Sequence, residues 1–87
     1  MHAVVVNVTV NDREAAERAL SEQLVPRVSQ LPGFVAGYWT MKDDTGLTML
    51  VFDSQAAANA MGEMARSVVP DAMTLGDVEV REVVAHA

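Results

Sequence analysis

The chain has no cysteine and little that is aromatic: one tryptophan, one tyrosine and two phenylalanines in 87 residues. Without cysteine there is no disulfide to tether a small fold and no thiolate to hold zinc. Histidine is scarce too, with His2 and His86 at opposite ends. Two imidazoles so far apart in sequence make no metal site without a third ligand between them. No serine sits in a Gly-x-Ser-x-Gly elbow, no His-Glu-x-x-His occurs, and the five glycines are too dispersed for a phosphate loop. Six Lys and Arg stand against twelve Asp and Glu, for a net charge of −6. A surface of that sign repels phosphate backbones, and its few basic residues are scattered, so nucleic acid is not an expected partner. No run approaches the roughly 20 apolar residues that cross a bilayer. The first seven residues carry no basic segment of the kind that opens a secretory signal. The expectation is a soluble, cytoplasmic protein with no metal and no cofactor.

What the chain has in quantity is apolar side chains, 51% of the total. Residues 1–87 make one domain. A domain this small buries only about 60% of its unfolded surface. So much apolar surface in so short a chain favours an oligomer.

Taken in order, His2–Val10 reads as a strand, rich in β-branched residues, with Val4, Val6, Val8 and Val10 on one side. Asn11 reads as a helix cap with Glu14 reaching back to it. Ala16, Leu20, Leu24, Val28 and Leu31 then form an apolar helical stripe. Pro26 lies inside that stripe, which predicts a kink or break near Leu24 and Val25. Pro32 and Gly33 end the helix. Phe34–Lys42 reads as the second strand, with Val35 and Trp39 on one side and Phe34 and Tyr38 on the other. A turn at residues 43–46 takes its positive φ from Gly46. Residues 47–52 form the third strand. Asp53 and Ser54 cap a second helix over about residues 55–66, whose apolar side is Ala57, Ala58, Met61, Met64, Ala65 and Val68. Pro70 and Asp71 close it. A last strand over about residues 75–84 slips in its alternation near Arg81 and Glu82, which predicts a bulge there.

The order β-α-β-β-α-β is the ferredoxin-like arrangement, an α+β fold with a four-stranded antiparallel sheet. Two helices cover one face of such a sheet. If the other face met water, each strand would alternate apolar and polar residues. Val4-Val5-Val6, and Leu47, Met49 and Val51 against Leu50 and Phe52, do not. Both faces therefore need cover, and the expected partner is a second copy, the two sheets packed face to face in a symmetric homodimer.

Leu31-Pro32-Gly33-Phe34 at the helix-to-strand turn, and Phe52-Asp53-Ser54-Gln55-Ala56-Ala57 at the second helix start, resemble the dimeric α/β-barrel superfamily. The likeness extends over nearly the whole chain and is nearest to the antibiotic-biosynthesis-monooxygenase-like and stress-responsive barrel groups. It implies sheets paired across a dimer and a ligand pocket between helices and sheet. It also implies a cofactor-independent monooxygenase-like enzyme acting on a small aromatic or quinone-like substrate, or else a non-catalytic ligand-binding or stress-related dimer. Haem-degrading members carry an asparagine on strand one with a tryptophan and a histidine on the later helix. Asn7 matches the first, but the second helix holds neither Trp nor His.

Asn7 is the candidate catalytic residue: an amide among valines is costly unless bonded, and it could hold an oxygenated ligand or an oxyanion. A structural amide or an edge residue in water is the alternative. Thr9 shares its side. Tyr38 and Trp39 offer apolar bodies with polar handles suited to an aromatic ligand, but as neighbours in a strand they face opposite ways, so only one can line a given pocket. Packing under the helices for one and in the dimer for the other is the competing account. Met61 and Met64 adapt to an irregular ligand or simply fill the core. Arg81 could bind an anion, or pair with Glu79 or Glu82. His2 and His86 are the remaining general-base candidates, at ends that hold catalytic geometry badly.

Overall fold

The valine-rich residues His2–Val10 form β1, the inner strand on which the rest is laid. The structure, a computed structural model, describes residues 1–67 and 72–87. After β1 come helix α1, strand β2 (Phe34–Lys42), strand β3 (Thr45–Phe52), helix α2 (Gln55–Ala65) and strand β4 (Met73–Glu82). The four strands make one sheet in the order β2-β3-β1-β4, every neighbour antiparallel. This α+β arrangement of two helices on a four-stranded antiparallel sheet is compatible with a ferredoxin-like fold. The expected residues Val68, Pro70 and Asp71 lie outside the described residues.

Helix α1 is continuous but not uniform. It is α-helical over Arg13–Ala19, opens into a π-helical turn over Leu20–Leu24, and returns to α-helix over Val25–Ser29. The irregularity expected near Leu24 and Val25 is thus a widened turn that ends at Leu24. In a regular α-helix the Pro26 ring would press on the carbonyl four residues back. Here the Val25 amide bonds Leu20 O, five residues back, and the wider turn gives the ring room. The cap also differs from expectation. Asp12, not Asn11, caps the helix, its carboxylate accepting from the Ala15 amide at 3.1 Å. Asn11 instead donates to Thr74 Oγ1 at 3.0 Å, and Glu14 pairs with Arg18 at 3.6 Å. In α2 the Ser54 hydroxyl accepts from the Ala57 amide, as its sequence foretells.

Gly33, at φ 81, makes the turn from α1 into β2. A Cβ there would lie 2.5 Å from Asp53 Oδ1, so the site needs glycine for space as well as for φ. The β2–β3 turn is shorter than expected. Asp43 and Asp44 alone form it, and Asp43 rather than Gly46 takes the positive φ, at 56. Aspartate tolerates that region better than most residues. Gly46 lies within β3, where a Cβ would come 2.7 Å from Val8 Cγ2.

Two irregularities re-aim side chains. A register shift between Phe34 and Ala36 turns Val35 out of sequence. Phe34 then packs edge-on against Phe52 at 5.8 Å and shares the inner face with Trp39, so the expected pairing of Phe34 with Tyr38 does not hold. The bulge expected near Arg81 lies instead opposite Asn7, where the partners jump from Val78 to Leu75. Gly76 sits there, and a Cβ would meet Asn7 O at 2.8 Å.

The core lies between helices and sheet. Phe52, Leu50, Val4 and Val28 are its largest fully buried side chains, joined by Val6, Ala58, Met61 and Ala65. A smaller cluster of Val10, Ala16 and Met73 sits under the start of α1. Replacing Gly46 with alanine is expected to lower stability by about 1–3 kcal/mol, since Val8 must move. Urea unfolding of the two forms measures it, and an unchanged midpoint would contradict the close approach.

Candidate functional site

Successive inward side chains of each strand meet the apolar stripe of α1 above them. They do not fill the space between. Val6 and Val8 of β1, Trp39 of β2, Thr48 and Leu50 of β3, and Met73 and Leu75 of β4 form the floor of a cavity. Leu20, Leu24 and Val28 of α1 and Met61 and Ala65 of α2 form its roof. The hollow is half open, and its space together with the mouth is about 510 Å³. Leu20 and Leu24 come from the two ends of the π-helical turn, so the widened part of α1 is the part over the cavity.

A second cavity of about 420 Å³, again with its mouth included, lies beside the end of α1. Leu31, Pro32, Phe52, Ala57, Ala60, Met61 and Met64 line it. Met61 borders both.

The chemistry of the linings is narrow. The first cavity offers one hydroxyl, Thr48, and one indole N–H, Trp39; its other lining side chains are hydrocarbon or thioether. Among the described residues the second has no polar side chain. Among the described residues no carboxylate, imidazole, amine or thiol borders either one, so none of these can move a proton there. Among the described residues, no group of three His, Asp or Glu is placed to hold a metal, and no helix is long and apolar enough to cross a membrane.

The sequence candidates separate into two groups. Trp39 and Met61 come together at the first cavity, and Met61 and Met64 at the second. Asn7, Thr9, Tyr38 and Arg81 lie on the opposite, outer face of the sheet and are exposed. Asn7 stands across from Leu47 on β3, remote from either cavity by the whole thickness of the sheet. Arg81 is held by Glu79 at 2.7 Å on the outer side of β4. His2 is fixed within β1 with its Nδ1 buried and without a partner, and His86 is exposed.

That outer face is itself apolar at its centre. Tyr38, Leu47 and Met49 are 64%, 45% and 43% exposed, and Val35 beside them 51%. Val5, Val51 and Ala36 complete the patch at partial burial, with Asn7, Thr9 and Thr40 among its polar neighbours.

Sequence reasoning passed over the cavity residues on α1 and β4. A stripe such as Leu20, Leu24 and Val28 reads equally as core, and nothing in spacing tells a filled interface from a hollow one. Thr48 did carry a signal: it is the hydroxyl among Gly46, Leu50 and Phe52 on the inner side of β3.

No protein-family model matches the chain, and no curated protein matches it.

The exposed Glu79–Arg81 pair is expected to contribute less than about 1 kcal/mol. Arg81→Ala should therefore leave the thermal midpoint nearly unchanged. A large drop would mean that Arg81 holds something other than Glu79.

Proposed function

We propose that the chain is a homodimeric binding protein for a small apolar molecule held between helices and sheet, rather than a catalyst. The observation that carries this is the lining of the first cavity: among the described residues it is apolar apart from the polar handles Thr48 and Trp39. Such a site takes a hydrophobic ligand from water at about 25 cal/mol for each Å² covered. The handles then orient it. The resemblance to monooxygenase-like barrels suggests oxygenation of a phenol or enol instead. That chemistry begins by removing a proton, and among the described residues no carboxylate, imidazole or amine borders the cavity to take it. An apolar wall also disfavours the phenolate that would result. The geometry thus supports binding over turnover.

The second copy is proposed from the outer face. Tyr38, Leu47, Met49 and Val35 form one exposed apolar surface on a sheet already covered on its other side. Its own mirror in a twofold pair would cover it. The charged pair Glu79 and Arg81 lies toward the β4 edge, at the rim of that surface.

Trp39 is the only tryptophan, so its emission reports the first cavity. Cyclohexanol is expected to shift it saturably, with an affinity that stays flat across neutral pH because no ionisable group lines the site among the described residues. Oxygen uptake with hydroquinones or anthrones is expected to equal the protein-free rate. Protein-dependent uptake with a bell-shaped pH profile would favour the enzyme. For the assembly, light scattering should give twice the chain mass for the native protein and one chain mass for Met49→Lys. A native monomer at micromolar concentration would refute the dimer.

A further inference from the structure

We infer that the two cavities are one binding tract, divided by the Met61 side chain, and that its ligand is an unbranched alkyl chain laid along the seam between α1 and α2. The inference rests on the apolar-binding reading above and extends it to the ligand's shape.

The two spaces lie end to end. Val28 near the end of α1 lines the first, and Leu31, just beyond the helix, lines the second. On β3, Leu50 lines the first, and Phe52, the next inward residue, lines the second. Met61 closes the passage between them and is 5% exposed. It is unbranched, with three rotatable bonds, so a change of rotamer can open the partition while the backbone stays in place. Leucine or phenylalanine there would be a fixed wall.

The dimensions suit a chain better than a ring system. From Leu20 to Val28 the helix rises about 12 Å, and the second cavity begins beyond that, at Leu31. The joined space is therefore long, and Met61 borders both parts of it. Among the described residues neither lining holds a charged group, so a polar head would keep its water only by remaining at a mouth. A long hydrocarbon with one polar end meets each of these conditions.

Straight-chain alcohols from hexanol to tetradecanol, titrated while Trp39 emission is followed, test the assignment. In the native protein the affinity should rise about fourfold for each added methylene and then level when the tract is full. Ala60→Phe places a ring in the second cavity from its exposed rim. In that variant the affinity should level several methylenes sooner, and a circular-dichroism melt establishes that it is folded. Levelling at the same length in both proteins would overturn the joined tract, because the chain would then end within the first cavity. Tighter binding of cyclohexanol than of every straight chain would overturn the alkyl ligand while leaving an apolar site in place. If no alcohol of either kind moves the emission, the apolar-binding reading fails and this inference fails with it.

Discussion

A four-stranded sheet has two broad faces, and this chain supplies apolar side chains for both but helices for only one. That imbalance underlies the rest of the molecule. On the covered side, Val4, Leu50 and Phe52 are almost completely removed from water by α1 and α2. On the other, Tyr38, Leu47 and Met49 keep roughly half their surface exposed. A monomer seldom leaves so large a contiguous patch open unless something settles on it. Self-association is the economical answer for a chain of this size, because the gain in buried surface comes without added sequence.

The covered side is itself incompletely filled. Helix α2 buries Ala58, Met61, Gly62 and Ala65 against the sheet, and a Cβ added at Gly62 would lie 3.5 Å from Val80 Cγ2. Helix α1 opens into its π-helical turn over a hollow lined mostly by hydrocarbon. Empty apolar space costs stability through lost contacts. A marginal domain of 87 residues that keeps such space has reason to, and occupancy by an apolar ligand would restore those contacts. Binding and stabilisation are then the same event.

Much of this was legible in the residues, and the parts that were not have a common cause. The strand and helix order followed from periodicity, and Gly33 and Ser54 fell where turn and cap chemistry put them. The errors came where one residue of register decides which side a group faces. Asp43 supplied the positive φ that Gly46 seemed suited to give, because a two-residue hairpin needed it three residues earlier. The bulges at Val35 and opposite Asn7 reversed the expected faces of Phe34 and displaced the irregularity of β4. Asn7 looked like a site residue because an amide stood among valines. Alternation set it opposite Val4 and Val6, and the structure puts that side away from the helices. A cavity is harder still to foresee, since it is a property of how far apart two surfaces stand and not of which residues compose them.

The π-helical turn also governs phase. Ala16, Leu20, Leu24 and Val28 recur every fourth position. On an unbroken α-helix a stripe of that period would wind about 120° around the axis between its first and last members. The wide turn absorbs much of that rotation, so one end of α1 and the other look at the same sheet. Removing one residue between Leu20 and Leu24 would take out about 100° and leave the four side chains nearly in line on a regular α-helix, but the Pro26 ring would then press on the carbonyl four residues back. The wide turn is therefore what lets this segment keep both its aim at the sheet and its proline.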